Sequence, residues 1–233
     1  CLALANYLEK LKAKVVFICR NHYGSSHELV LKQKFRLHLL NGKEDQEISL
    51  KHKDWLGFSQ LQDVSESSIF IDMYPGSHVI VDHYGLDCQW ESNINCESMT
   101  VIDDLADRHH KCSLLIDQSL KNTKLNYENL VDGNFDFMGG NLVILREEFS
   151  DERAWEALGS GKVLICMGGA DPKSYTKKIL ENIILNHKRC SSPQDEIEIN
   201  VIVGSACTDY DDLKSLAVTD KLKVSILFNP ENI

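Results

Sequence analysis

Three stretches carry side chains able to do chemistry, and each follows an apolar run. The first is "HVIVDHYGLD" (78–87), a strand-like run that ends in Asp82, His83, Tyr84 and Gly85. His83 offers an imidazole that titrates near neutral pH, and Tyr84 offers a hydroxyl; both can orient a sugar or handle a proton. Because side chains alternate across a strand, one of the two is expected to face a ligand and the other the core. The second stretch, "VIDDLADRHHKC" (101–112), gathers Asp103, Asp104, Asp107, His109, His110 and Cys112. It has neither HExxH nor CxxC spacing, and adjacent carboxylates at a strand end diverge, so no metal is expected. Asp103 or Asp104 is expected to cap or hydrogen-bond, one of them touching a ligand, with His109 and His110 in solvent.

The third stretch, "CMGGADPKSY" (166–175), sets Gly168 and Gly169 at a turn, with Asp171 as an N-cap and Pro172 at the first helical position. Glycines let backbone N–H groups approach a phosphate, and a helix N-terminus carries about half a positive charge. The turn is either a diphosphate site or a plain strand-to-helix connection. No Gly-Lys-Ser/Thr follows, which excludes a P-loop.

The elements that must position these residues are short apolar runs alternating with helical patterns. Strands are predicted at 14–20, 78–83, 98–104, 112–118, 142–146, 162–169, 197–204 and 221–228. Several lack period-two alternation, which fits strands buried on both faces of a parallel sheet, and the alternation with helices makes this an α/β chain. The polar stretch "EEFSDERAWEALGSG" (147–161) interrupts the pattern before a fresh strand starts at Lys162. The expected organisation is therefore a Rossmann-like domain over 1–148, a linker over 149–161, and the first part of a second, nucleotide-binding domain over 162–233. In doubly wound sheets, ligands bind at the carboxyl ends of strands. That rule aims His83, Tyr84, Asp103, Asp104, Arg146, Gly168 and Gly169 at a cleft. The stretch 41–53 reads as a charged surface loop.

Composition narrows the partners. The formal charge of −10, with no basic block, argues against nucleic acid or an anionic membrane surface. An anionic ligand must then be held by local donors. The eight cysteines form no CxxC pair and sit in or beside apolar runs, so buried, reduced thiols and a cytoplasmic location are expected. No apolar run approaches transmembrane length. The chain opens "CLALANYLEKLKAK" with helical spacing of Leu2, Leu4, Ala5, Leu8 and Leu11 but no cap, and closes on Asn229, Pro230 and Glu231, a helix start with no helix behind it. Both ends are expected to lie inside a longer protein.

The blocks "CLALANYL", "VVFICR", "VDHYGLD.QWE", "VIDDLADR.H.C", "LLIDQ", "ILREEF" and "ICMGGADP", in this order, resemble the UDP-2,4-diacetamido-2,4,6-trideoxy-β-L-altropyranose hydrolases of pseudaminic acid biosynthesis. The resemblance implies a two-domain fold of the GT-B glycosyltransferase type. It also implies hydrolysis of the bond between the anomeric carbon and UDP, with water attacking by inversion and without metal or other cofactor. It makes Tyr84 a catalytic cleft residue with His83 beside it, and turns Gly168 and Gly169 toward the diphosphate. The family's general-base His belongs to a Gly-x-Gly-His-x-x-Arg motif that would precede Cys1, and a Gly/Ser-rich turn with an Asn-Gln pair would follow Ile233. The chain as given is thus expected to be inactive alone. "GGNLVILREEF" departs from the family's Gly-Pro-x-Tyr-Ala-Leu-Leu-Arg but keeps the placement of Arg146. The alternatives are a GT-B glycosyltransferase using a UDP-sugar and a non-catalytic nucleotide-sugar-binding domain; oligomeric state is not legible.

Overall fold

The computed structural model describes residues 1–22, 25, 27–42, 51–140, 142–149, 162–169, 171–190, 197–204, 207–217 and 222–228. The chain divides into two compact units, Cys1–Glu152 and Arg153–Ile233. Every strand pair between named strands is parallel, so the chain is α/β.

In the first unit, α1 (Leu2–Lys10) buries Ala5 against Val30 and Phe35, while Leu11 beyond its end is exposed. β1 (Val16–Arg20) leads through α2 (His27–Lys32) to β2 (Arg36–Leu40), and the two strands pair. α3 (Gln60–Ile71) begins at Ser59, whose side chain accepts from the Gln62 amide at 3.2 Å. There follow β3 (His78–Val81), α4 (Cys88–Glu91), β4 (Ser98–Ile102), β5 (Leu114–Asp117), α5 (Lys124–Tyr127) and β6 (Asp136–Gly139). Their strands form a sheet in the order β3-β4-β5-β6. The central strands bury successive residues, Met99 to Val101 and Leu115 to Asp117, which is why their sequences do not alternate. α4 and α5 are single turns, too short to persist alone. Asp87 caps the first by accepting from the Gln89 amide at 2.8 Å, and Thr123 with Asn126 forms a capping box on the second.

The second unit alternates β7 (Lys162–Cys166), α6 (Tyr175–Cys190), β8 (Glu198–Val203), α7 (Tyr210–Leu216) and β9 (Lys223–Phe228), with sheet order β7-β8-β9. Central β8 packs Ile199, Val201 and Val203 with Leu180 of α6 and Leu213 of α7. Edge strand β7 buries only Ile165.

Several expectations change. Residues 142–146 form no strand; Leu142, Val143 and Leu145 are exposed, so an apolar run alone did not secure a place in a sheet. Two strands lacked a sequence signal. β2 is broken by Arg36 and His38, yet His38 stacks on Phe70 at 4.4 Å and bonds Tyr74 Oη at 2.9 Å. β6 is only Asp-Phe-Met-Gly. Within the charged stretch, His52–Leu56 is a 3-10 helix, and 43–50 lie outside the described residues. So do Asn229, Pro230 and Glu231, and most of the expected linker. The described cysteines are less buried than expected: among them only Cys112 is fully so, while Cys1 and Cys166 are exposed. Among the described residues all are free thiols. Burial raises the pKa of Cys19, Cys88 and Cys96, and pushes Cys112 up to about 12, which keeps these thiols protonated. No helix among the described residues is long and apolar enough to cross a membrane.

Two ion pairs of one arginine join the small sheet to α3. Arg20, at the end of β1, has a side chain only 6% exposed. Its Nε donates to Asp63 Oδ2 at 3.0 Å, its Nη1 donates to Glu66 Oε2 at 2.7 Å, and its guanidinium covers the Phe58 ring at 4.3 Å. Asp63 Oδ1 also accepts from Ser67 Oγ at 3.0 Å and Trp90 Nε1 at 2.8 Å. Removing a carboxylate from such a cluster strands a buried cation. Asp63→Ala is expected to lower stability by about 3–5 kcal/mol in urea unfolding. Glu66→Ala, at the more exposed partner, should lower it by about 1 kcal/mol or less. Equal losses would show that Arg20 is solvated.

Candidate functional site

β3 ends at Val81, and the chain then leaves the sheet, so the alternation expected to separate His83 from Tyr84 does not extend to them. Leu86 N–H donates to His83 O at 3.2 Å, closing the turn. Tyr84 lines a cavity of ≈ 580 Å³; His83 is not among its walls. Instead the His83 Nδ1 accepts from the Gly85 amide at 2.9 Å, which fixes the neutral ring with its proton on Nε2. Burial lowers its pKa, outweighing nearby Asp63.

The cavity takes its other side from the 3-10 helix at His52–Leu56. His52 stacks on Tyr84 at 5.0 Å and 26°, and Trp55 meets both rings edge-on, at 4.7 Å from His52 and 5.8 Å from Tyr84. Arg108 lines the cavity with its guanidinium carbon 5.8 Å from the Tyr84 centroid. Lys51 and Lys53 also border it, so a chain of net charge −10 presents three cations here against Asp87 and Asp107. Tyr84 Oη donates to Asp104 Oδ1 at 2.7 Å. Burial and that hydrogen bond push its pKa up to about 12, so the phenol stays neutral at any physiological pH.

Behind this wall lies a buried network. The carboxylates of Asp103 and Asp104 do diverge: Asp104 turns to Tyr84, and Asp103 turns inward, its side chain fully buried. Asp103 Oδ1 is 2.7 Å from Arg108 Nη1, a charge contact without the alignment of a hydrogen bond. Its Oδ2 accepts from the Ala106 amide at 3.0 Å. Arg108 Nε donates to Leu86 O at 2.9 Å. Burial opposes ionisation of Asp103, but His110 and Arg108 overcome it and hold the carboxyl well below the usual carboxylate range. His110, expected in solvent, is fully buried; only His109 is exposed. Its Nδ1 is 2.8 Å from Glu91 Oε1 and its Nε2 is 3.8 Å from Asp103 Oδ2. Burial disfavours the imidazolium, yet Asp103 and Glu91 raise its pKa overall. Tyr127 Oη donates to Asp117 Oδ2 at 2.8 Å, and Asn122 Nδ2 links Asp117 Oδ2 at 2.9 Å to Asp104 O at 3.0 Å. One polar chain thus runs from the cavity to the core. Among the described residues no three metal-ligating side chains converge.

The remaining expected residues lie apart. Arg146 is exposed, off any strand, with its guanidinium 5.1 Å from the Phe149 ring. In the second unit, Gly168 has φ +81, which favours glycine, and a side chain added at Gly169 would meet open space. Gly204 closes the turn from behind: a Cβ there would fall 2.4 Å from Gly169 O. Asp171 does cap, accepting from the amides of Tyr175 at 3.0 Å and Thr176 at 2.7 Å. The helix starts at Tyr175, not at Pro172, because Asp171 and Ser174 adopt φ +43 and +53. Burial opposes ionisation of Asp171, but the amides it accepts from lower its pKa overall.

No family model matches the chain. Over 109 residues, 45% of its length, it is 30% identical to the UDP-2,4-diacetamido-2,4,6-trideoxy-beta-L-altropyranose hydrolase of Campylobacter jejuni. The chain is similar to a UDP-sugar hydrolase. Over 163 residues, 63% of its length, it is 28% identical to an uncharacterized protein of Methanocaldococcus jannaschii. These matches span 39% and 32% of the respective relatives, so the chain covers well under half of either.

Sequence reasoning missed Arg108, His52 and Glu91. Arg108 follows Asp103 by five residues, a spacing that one loop turn brings together, and the lone Trp55 in "KHKDWLGF" marked a polar stretch with something to pack on.

The raised pKa of buried His110 gives a pH test. A raised folded pKa means that His110 adds stability fully below its ordinary 6.5 and loses it as pH rises through the folded value. Asp103 adds stability above its ordinary 3.8 and loses it as pH falls. His110→Gln should therefore cost most, about 3–5 kcal/mol, between roughly pH 4 and 6.5, and less at alkaline pH. Denaturant titrations across pH 4–10 check this, and a cost independent of pH would mean that His110 is buried neutral.

Proposed function

We propose that the chain is part of an enzyme that hydrolyses the anomeric bond of a UDP-linked diacetamido-trideoxy-hexose, releasing UDP and the free sugar for pseudaminic acid biosynthesis in the cytoplasm. The 30% identity to the Campylobacter jejuni hydrolase carries this reading. On it, the units correspond to the two domains of a GT-B arrangement, over 1–148 and 162–233. The sheets support that arrangement only as far as parallel α/β, since among the described strands each keeps chain order without reversal.

In the reaction, Tyr84 contacts the reacting sugar. Its neutral phenol, donating its one hydrogen bond to Asp104, accepts a hydrogen bond from the substrate rather than acting as an ionised base. His83, neutral with Nε2–H and outside the cavity walls, is assigned to the substrate side as the neighbour of Tyr84. Asp103 holds Arg108 in place, and Arg146, exposed beside Phe149, is assigned to a ligand group. The diphosphate is assigned to the backbone at Gly168 and Gly169. The amides of Tyr175 and Thr176 already serve Asp171, so the phosphates take the turn and not the first turn of α6.

Full-length protein offered a panel of UDP-sugars should release UDP from the acetamido members. Gly169→Val fills the open space at the turn and should weaken UDP at least about tenfold, roughly 1.4 kcal/mol, by calorimetric titration. Failure to bind UDP at all would overturn the reading, and unchanged affinity in Gly169→Val would move the diphosphate elsewhere.

A further inference from the structure

We infer that β1 and β3 are the two banks of a slot that takes one more parallel strand, and that this strand is the segment of the full-length protein leading directly into α1. The inference does not rest on the UDP-sugar reading. Among the described residues β1 pairs only with β2, and β3 only with β4, so each keeps one edge without main-chain partners. The two strands nevertheless share one packed body. Ile18 of β1 and Val79 of β3 both pack against the core that holds Val81 and Leu115. Their carboxyl ends meet the same residue: His22 Nε2 lies 2.9 Å from Leu56 O, and a side chain added at Gly85 would begin 3.1 Å from Leu56 Cβ. β1 is covered on both faces, by α1 and α2 through Phe17 and Cys19 and by α3 through Arg20. Yet all five of its residues are only half-buried, whereas central β4 and β5 each bury three in a row. With both faces and one edge covered, the exposure enters through the other edge. β3 shows the same half-burial at Val79 and Ile80. A sheet of two strands is marginal by itself, and an open edge is a template for another strand.

What borders the slot gives the occupant its chemistry and its connection. Parallel strands buried on both faces read as continuous apolar runs, so the slot calls for an extended apolar segment about as long as β1, roughly five residues. The Cys1 nitrogen, just ahead of α1, is 3.4 Å from Asp82 Oδ2 at the end of β3, while Leu2 and Ala5 belong to the cluster that holds Phe17 of β1. α1 thus crosses from the end of β3 onto a face of β1. A strand that ended beside Asp82 and continued into α1 would lie in the slot, run parallel to both banks, and form a strand-helix-strand unit with α1 and β1. It would join the two sheets into one, in the order β2-β1-new strand-β3-β4-β5-β6. Chain order then reverses at the slot, as a doubly wound sheet requires. A strand from a second molecule is the competing occupant, and it would have to enter beneath α1.

Amide hydrogen exchange of the full-length protein, read by mass spectrometry on peptides over 16–20, 78–81 and the segment ahead of Cys1, tests this. All three should exchange at least about a hundredfold more slowly than free chain, as the peptide over 98–102 of β4 should, and at any protein concentration. An open edge instead leaves about half of the amides of β1 and β3, those pointing away from the paired neighbour, exchanging like free chain. That result at either strand overturns the slot. Protection that appears only as protein concentration rises gives the slot to a second molecule and overturns the assignment, as does free exchange of the segment ahead of Cys1. A proline placed in the middle of that segment removes an N–H from the ladder and should speed exchange at both 16–20 and 78–81 at least about tenfold, with 198–203 of the second unit unchanged. Faster exchange at one bank alone, or at neither, overturns the inference.

Discussion

The first unit depends on one electrostatic constraint: a carboxylate at Asp103 with no access to water. Burying it alone would cost several kcal/mol. The chain meets that cost with Arg108 and His110, and His110 in turn draws in Glu91 from α4. Two carboxylates, a guanidinium and an imidazole gather in this group. Its members come from three parts of the chain, so their contacts fix α4, the end of β4 and the loop over 104–110 with respect to one another. Tyr127 and Asp117 extend the same network under β5. Hydrophobic contacts such as Val101 and Leu115 supply the bulk of the burial, but they would tolerate a shift in register that this group does not.

That constraint has a surface face. Arg108 stands with one nitrogen on Asp103 and its plane near Tyr84, and so transmits the geometry of the core to the cavity wall. Asp104, the neighbour of Asp103, does the same from the other side by accepting the Tyr84 hydrogen bond. Adjacent residues at a strand end thus serve opposite purposes, one neutralised and hidden, the other setting what a ligand meets.

The sequence disclosed those parts whose local pattern agrees with their final surroundings. β3, β4, β5, β8 and β9 are apolar runs that end up paired, and α1 keeps its helical spacing. The divergence of Asp103 and Asp104 was likewise legible from strand geometry. What could not be read depended on partners distant in the chain. His110 looks like any loop histidine until Glu91 and Asp103 close around it, nineteen positions away at Glu91. β2 carries Arg36 and His38, and only Phe70 and Tyr74 make His38 acceptable there. Residues 142–146 show the converse, apolar sequence that pairs with no strand among the described residues. At the cavity, Tyr84 announced itself by type, whereas His52 and Trp55 belong to a stretch whose charge masked its role.

In the second unit, the approach of Gly204 to Gly169 has a mechanical reading. Two main chains that touch with no side chain between them cannot be pressed closer, because neither has a rotamer to change. The end of β8 is in effect a stop against which the glycine turn rests. Any rearrangement of that turn on meeting an anion must either carry the tip of β8 with it or move outward only, toward the open space at Gly169. The turn is therefore hinged on one side, and its compliance is directional: soft toward incoming ligand, stiff toward the sheet. Lengthening the chain by a residue at either glycine would jam the seam, so this junction is where the unit should least accept insertions.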